Sequence, residues 1–518
     1  MATSPERREQ ALDALNGGTF DAIVVGGGIN GAVSTLALAA HGLRVALVER
    51  HDFASGTSQE SSCMVWGGFK YLESHDLKLV AGLCDSRNRL ARAYPTRLAE
   101  VRFLASLDHG APFPPWFAAL GAVAYWGLGR LATQPPRHRS VTTIGRLEPA
   151  VNTSTVRGGI EYSDYLLVDN DARFVSEMAF ASLRHGATIA NWVEVVDSEH
   201  AADGWRLSLV DRVSARAMEA SAPLVVNAAG PHLPVVGGLL GAATKCRLVF
   251  SKGIHLVVPR ITDSSRILAF FDDDERLFYV LPMGERSVVG TTDTPAEDPT
   301  VAVTDDDRMF LLDQINTRLD LATPLAADDV IAERCGVRAL VMKPGVSTDG
   351  RDWTELSREH AVEVDQTLGV VSVLGGKLSD CLNVGEEVVE AAEACGLMPG
   401  RARGQWYGEP GSTARRRFET RAAALSLDPR VAADLWRRQG MRAFPVLDLI
   451  DDDRSLGDPM GGLVPMTEAE VRVMADHEWI VEAEDFLRRR TMLAQVERSS
   501  DLDAAPTVTR ALELLGVT

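Results

Sequence analysis

Residues 20–50, FDAIVVGGGINGAVSTLALAAHGLRVALVER, constrain the fold more than any other stretch of this chain. Ile23, Val24 and Val25 read as a buried strand, and Gly26, Gly28 and Gly31 come next at G-x-G-x-x-G spacing, where strand must turn into helix. In such a unit the first glycine permits the tight turn, the second lets backbone approach a pyrophosphate, and the third lets helix pack on strand. The helix N-terminus adds N–H donors and partial positive charge for the phosphates. Val45 to Val48 form the next strand and Glu49 closes it, placed about 20 residues on to accept from a ribose hydroxyl. Strand, turn, helix, strand and acid together predict a dinucleotide site.

At 518 residues the chain exceeds a single core and predicts two or three domains. A formal net charge of −19 argues against a broad nucleic-acid footprint and against general attraction to anionic lipid. The six cysteines fall at no C-x-x-C or metal-ligand spacing, which predicts free thiols, a reducing compartment and no metal centre. The first nineteen residues carry Glu6, Arg7, Arg8, Glu9 and Asp13 without an apolar run, so no signal peptide is expected and the location reads as cytoplasmic. The uncharged stretch Ala111 to Gly129 contains Pro112, Pro114 and Pro115, which confine a helix to Trp116 onward. That is shorter than the roughly 20 residues of a membrane span. Two readings stay open for 113–131: a buried or lid helix, or a Trp- and Tyr-edged segment dipping into one leaflet.

Further along, a helical pattern from Asp169 to Leu183 leads into HGATIANWVEVVD, an alternating strand, and APLVVNAAGPHL reads as strand into small-residue turn. LVFSKGIHLVVP, RILAFF, RLFYVLP and SVVGTTDT are four β-rich runs of a separate sheet. GVVSVLGGKLSD returns to strand and turn before the helix VGEEVVEAAEAC, and the sequence beyond 405 is helical and charged, including the run EAEVRVMADHEWIVEAEDFLRRRTMLAQV. The expected fold class is α/β (α+β overall). A Rossmann-like domain is assembled from 18–95, 150–245 and 346–400, a β-rich substrate domain from 96–149 and 246–345, and a C-terminal helical domain from 405–518.

The segment after Glu49 favours FAD over NAD: DFASGTSQESSCMVWGGFKYLE is dense in Gly, Ser and Thr, suited to lie along a flavin. GGGINGA, ERHDFASGTSQESS, WGGFKYLE, EYSDYLLVDNDAR, NAAGPH, KGIHLVVP, VVGTTDTP, CGVRAL, LGGKLS and HEWIVEAEDFLRRRT, in this order, resemble the FAD-dependent glycerol-3-phosphate dehydrogenase family. The resemblance covers nearly the whole chain. It implies a discontinuous FAD domain, a substrate domain over the flavin ring and a helical cap. It also implies a peripheral membrane enzyme passing electrons to quinone, or in oxidase relatives to oxygen, and it admits a homodimer. The residues it assigns to the cofactor are Gly26, Gly28, Ile29, Asn30, Gly31, Glu49, Arg50, Thr57, Ser58 and Ser62. Trp66, Gly67, Val195, Ala229, Gly230, Gly376 and Lys377 complete that set.

Oxidising a secondary alcohol by flavin requires hydride transfer to N5 and a base for the hydroxyl proton. His255 in KGIHLVVP is the candidate base, since a neutral imidazole acts near pH 7. Arg338 in CGVRAL can hold the substrate oxygen, and Lys377, after Gly375 and Gly376, suits the flavin N1 locus or a substrate phosphate. Lys70 and Tyr71 stand where the family places an Arg-Tyr pair near substrate. Where the family has SSKLIHGGLRYLE and GGKLTTYR, this chain has SSCMVWGGFKYLE and GGKLSDCL. Cys63, Trp66 and Lys70 thus replace lysine, histidine and arginine, while Asp380 and Leu382 replace threonine and arginine. The expected substrate site, which includes Asp380, loses positive charge. The leading expectation is oxidation of glycerol 3-phosphate or a related polyol phosphate. The alternative is a diverged oxidoreductase or oxidase acting on an unphosphorylated alcohol or amine. A third reading, outside catalysis, is a flavin-bearing sensor or scaffold.

Overall fold

Short, wholly buried apolar strands make the first sheet. Ala22–Val25, Val45–Val48 and Leu224–Asn227 expose none of their residues, as strands covered on both faces must. The computed structural model describes residues 4–72, 76–271, 277–345 and 359–517. In it the sheet runs in the order Ala361–Asp365, Val370–Leu374, Leu224–Asn227, Ala22–Val25, Val45–Val48, Thr188–Ala190. Neighbours are parallel except Ala361–Asp365, which pairs antiparallel with Val370–Leu374. Helix Ile29–Ala40 is small and apolar throughout (INGAVSTLALAA), which lets it lie between this sheet and helices Asp171–Ser182 and Cys381–Ala394, buried from Asn30 to Ala39. Gly31 sets its approach: a Cβ there would fall 1.7 Å from the Gly26 carbonyl oxygen.

The alternating run HGATIANWVEVVD forms two strands rather than one. Thr188–Ala190 joins the parallel sheet, and Val193–Ala201 joins a four-stranded sheet with Gly18–Thr19, Gly204–Asp211 and Ala217–Ala222. Between them Trp192 takes φ +59°, and the Asn191 amide donates to Asp52 Oδ1 and to the Trp479 carbonyl, each at 2.9 Å. These long-range bonds turn the chain from one sheet into the other.

The ten-stranded second sheet contains the expected β-rich runs Arg247–Pro259, Ile267–Phe271, Leu277–Met283 and Arg286–Gly290. It also claims more of the chain than the sequence boundaries suggested. Leu98–Asp108 pairs antiparallel with Val156–Leu167 and parallel with Ile267–Phe271, and Met64–Val65 pairs with Tyr165 and Leu166. Residues 156–167 and 64–65 therefore belong to the substrate sheet, and the dinucleotide domain resumes at helix Asp171–Ser182. The reason is backbone satisfaction: Ile267–Phe271 pairs with only three residues of the eleven-residue strand Leu98–Asp108, and Val156–Leu167 pairs along the length of its other edge. Of the expected domain segments, residues 73–75, 272–276, 346–358 and 518 lie outside the described residues.

Helix Pro115–Leu128 begins one residue before the expected Trp116, with proline at its first turn, where a missing N–H costs nothing. It buries Ala118, Ala122 and Tyr125 and turns Trp116, Phe117, Leu120 and Val123 outward, each more than half exposed. Beneath it the Tyr125 hydroxyl donates to Asp164 Oδ2 at 2.7 Å, and Arg87 pairs with Asp164 Oδ1 at 2.5 Å. No helix among the described residues is long and apolar enough to cross a membrane.

The C-terminal domain is helical, with Ser412–Ala424, Pro429–Gln439, Ala443–Asp452, Glu468–His477 and Pro506–Leu515 as its main elements. Within the helical, charged run that begins at 468, the first helix ends at His477. Glu478 is drawn inward, its carboxylate accepting from Arg173 at 3.0 Å and facing Arg442 at 3.4 Å. Arg488, Arg489 and Arg490 then all point into the dinucleotide domain. Arg490 binds both oxygens of Asp52 (2.7 and 2.9 Å), Arg489 reaches the same carboxylate at 3.0 Å, and Arg488 reaches Glu60 at 2.8 Å. Removing one partner from such a buried cluster leaves uncompensated charge at a cost of about 3–5 kcal/mol. Asp52→Ala is therefore expected to lower the stability measured by urea unfolding by that amount and to speed proteolytic release of the C-terminal domain. An unchanged urea midpoint would show that the arginines do not hold the domains together.

Candidate active site

The two large sheets face each other across one cavity of about 1240 Å³. Drug-sized ligands fill roughly 300–1,000 Å³, so there is room for a dinucleotide and a small substrate. At one end the cavity is floored by the turn between Ala22–Val25 and helix Ile29–Ala40, with Gly26, Gly28, Ile29 and Asn30 in its wall. Glu49, Arg50, Thr57, Ser58, Ser62, Val195, Ala229 and Gly230 line the cavity as well, Ala229 packing against Gly26. Trp66, Gly376 and Lys377 lie further along. Two residues expected at the cofactor do not reach the cavity lining. Gly31 is spent on the contact with Gly26. Gly67 is covered by the Arg87–Asp164–Tyr125 group, its N–H donating to Asp164 Oδ1 at 3.3 Å; a Cβ there would lie 2.4 Å from the Tyr125 hydroxyl oxygen.

The residues present fit FAD. Helix Ile29–Ala40 starts at Gly28, which has no side chain to cap it; Ser58 Oγ takes the Ile29 N–H, and the positive end beyond that bond suits an anionic ligand. Asn30 donates to the Gly375 carbonyl at 2.9 Å, while its buried Oδ1 accepts from none of the described residues. Glu49 accepts from Gly27 N–H at 2.6 Å and His51 N–H at 2.9 Å, one on each oxygen, keeping lone pairs for a ribose diol. Burial raises its pKa above the ordinary carboxylate value, against the pull of those backbone N–H groups. The Ser and Thr of 57–58 are partly committed to the fold: the Thr57 hydroxyl donates to the Val337 carbonyl (2.9 Å) and Ser58 Oγ accepts from Ile29 N–H (2.9 Å).

His255, Arg338, Lys70, Tyr71 and Lys377 share the wall of the same cavity. His255 sits mid-strand in Arg247–Pro259, opposite Gly290 and Arg334 in register. Its ring is 3% exposed, and neither ring nitrogen bonds any described residue. Burial, reinforced by Arg334, Arg338 and Arg488, pushes its pKa well below 6.5, so the imidazole is neutral. Gly290 makes room for it, since a Cβ there would come within 2.7 Å of the ring. The Arg338 guanidinium lies over Gly253, where a Cβ would fall 2.3 Å away, and donates to the Thr292 carbonyl (3.0 Å), Thr291 Oγ1 (2.7 Å) and Asp293 Oδ1 (3.4 Å). The Lys377 ammonium lies 3.9 Å from the centre of the Tyr71 ring and bonds its hydroxyl.

Asp380 is absent from the lining. It is 5% exposed and turned behind the Lys377 turn, where His360 Nδ1 (2.6 Å) and Asn383 Nδ2 (2.7 Å) hold its carboxylate. Thr291 and Asp293, which hold Arg338, were not among the expected site residues, although they stand in the recognisable run VVGTTDTP. Neither was Glu60, although it stands in the run ERHDFASGTSQESS; its support comes from Arg488, more than four hundred residues away.

A family model described as FAD dependent oxidoreductase matches residues 21–378, and one described as the C-terminal domain of alpha-glycerophosphate oxidase matches residues 405–514. The chain belongs to the FAD-dependent oxidoreductase family. Its relatives include a glycerol-3-phosphate dehydrogenase of Mycobacterium leprae, 31% identical over 504 residues (94% of this chain, 83% of that protein). A D-erythritol 1-phosphate dehydrogenase of Brucella abortus is 30% identical over 503 residues (93% and 97%). Among solved structures, glycerol-3-phosphate dehydrogenase from Bacillus halodurans complexed with FAD shares the fold at TM-score 0.77 and 21% identity, covering 100% of this chain and 95% of that one. The chain is thus an FAD-dependent, glycerol-3-phosphate dehydrogenase-like oxidoreductase, and FAD is its cofactor.

Proposed function

We propose that this FAD-dependent oxidoreductase oxidises the secondary alcohol of glycerol 3-phosphate or a closely related polyol phosphate and passes the electrons to quinone. The observation that carries the chemistry is His255: a buried, neutral imidazole without a hydrogen-bond partner among the described residues, on the wall of the cavity that suits FAD. Such a group accepts a hydroxyl proton as the alcohol carbon gives up hydride. Bound FAD supplies the hydride acceptor. Arg338, held on three oxygens, offers fixed charge to the developing alkoxide. Lys70 and Lys377 are the cations offered to a phosphate, and Tyr71 sets the Lys377 ammonium. The proton resides on His255 and the product is the corresponding ketone. The names of the Mycobacterium leprae and Brucella abortus relatives favour a phosphorylated polyol.

Removal of the base is the direct test. His255→Ala, with FAD retained, is expected to slow anaerobic bleaching by glycerol 3-phosphate by about 10²–10⁴-fold. An unchanged bleaching rate would remove His255 from the mechanism. The neutral imidazole is the active form and its pKa is depressed, so kcat/KM should stay level as pH falls through 6.5 and decline only well below it. A decline centred at 6.5 would contradict this assignment.

For the acceptor side, helix Pro115–Leu128 supports contact with one membrane leaflet. Trp116, Phe117, Leu120 and Val123 form an outward apolar face that water solvates poorly, and Leu131 extends it. The protein is expected to sediment with lipid vesicles, and Leu120→Glu with Val123→Glu to stay in the supernatant. Equal sedimentation of both would refute the contact.

A further inference from the structure

Behind the turn that presents Lys377, three elements converge. Ala361–Asp365 pairs with Val370–Leu374, Ala361 opposite Leu374, which brings His360 beside the glycine pair. A Cβ on Gly376 would come within 3.4 Å of the His360 Cβ. Asp380 closes the turn from the other side, its N–H donating to the Lys377 carbonyl at 2.9 Å just before helix Cys381–Ala394. The imidazole bridges the two: Nδ1 meets Asp380 Oδ2 at 2.6 Å, and Nε2 meets Glu387 Oε1 at 3.1 Å. Burial opposes a charge on His360, but the two carboxylates prevail and raise its pKa to about 10. Asn383 takes the remaining oxygen of Asp380.

We propose that protonated His360 is a positioning residue for Lys377. It ties the Gly375–Lys377 turn to the strand beside it. It also cancels the charge of Asp380, the carboxylate that replaces a threonine of the family pattern one turn from the substrate cation. An uncompensated carboxylate there would compete with a phosphate for the Lys377 ammonium. With His360 charged, Lys377 presents its full charge to the anion. The proposal rests on the reading that Lys377 binds the anionic substrate.

The test compares glycerol 3-phosphate kinetics of the FAD-loaded wild type, His360→Gln, Asp380→Asn, the double variant and Lys377→Met. Removing the compensating charge alone, in His360→Gln, is expected to raise KM about tenfold with kcat within about twofold. The double variant, neutral at both positions and still able to pair amide with amide, should return KM to within about twofold of wild type. A purely structural role would not be rescued by removing a second native group, so a double variant as impaired as His360→Gln overturns the proposal. It also falls, with the substrate site intact, if Lys377→Met raises KM but His360→Gln does not. If Lys377→Met leaves KM unchanged, the reading of Lys377 itself fails and carries the proposal with it.

Discussion

The contact of Gly31 with the Gly26 carbonyl is the constraint on which the rest of the molecule depends. No side chain fits there, a Cβ coming to 1.7 Å, so helix Ile29–Ala40 lies directly on its strand with its N-terminus at the C-terminal end of that internal strand. The cavity begins at that N-terminus, between the parallel sheet and the ten-stranded sheet that carries His255 and Arg338. Helices Asp171–Ser182 and Cys381–Ala394 close over the same helix, and the latter begins where the Lys377 turn ends. One backbone contact near the start of the chain thereby sets the position of groups more than three hundred residues later.

The C-terminal domain also helps shape the cavity, although none of its described residues lines the wall. Its three consecutive arginines grip Asp52 and Glu60, which flank the Ser- and Thr-rich segment expected along the flavin. From the substrate sheet Arg334 donates to the Ser61 carbonyl at the end of that segment. A polar segment that must bend past a cofactor has little apolar surface of its own to bury, so its shape is held by charge-assisted bonds from outside. Positive charge from Arg488 and Arg334 also reaches His255 and helps to keep it neutral.

Much of the fold was legible in the sequence because strand runs, glycine spacing and turn chemistry are local signals. The dinucleotide turn, the four β-rich runs and the GGK turn all appear where the pattern puts them. What escaped was decided by partners far along the chain. The strand at HGATIANWVEVVD divides because Asn191 bonds Asp52 and Trp479, and the first helix of the run from 468 ends because Glu478 meets Arg173. Residues 156–167 join the substrate sheet because Leu98–Asp108 needs an edge. In the site, the cavity brings His255, Arg338, Lys70, Tyr71 and Lys377 together, while Asp380 is withdrawn behind the turn. No periodicity or spacing reveals His360, the residue that faces it.

Substrate charge is the point on which these observations converge. The family arginine is a lysine at position 70, which binds phosphate as a point charge and not as a bidentate fork. The acid that enters at position 380 meets a histidine, His360, proposed above to offset its charge. The most direct measurement is the ratio of kcat/KM for glycerol 3-phosphate over unphosphorylated glycerol, by anaerobic reduction of the bound FAD. A phosphate-reading site gives a ratio of about 10⁴ or more, the scale expected when polar groups built to meet a substrate are left unpaired. A ratio near one, or a preference for glycerol, would show that Lys70 and Lys377 do not read a phosphate and that the site serves a different alcohol.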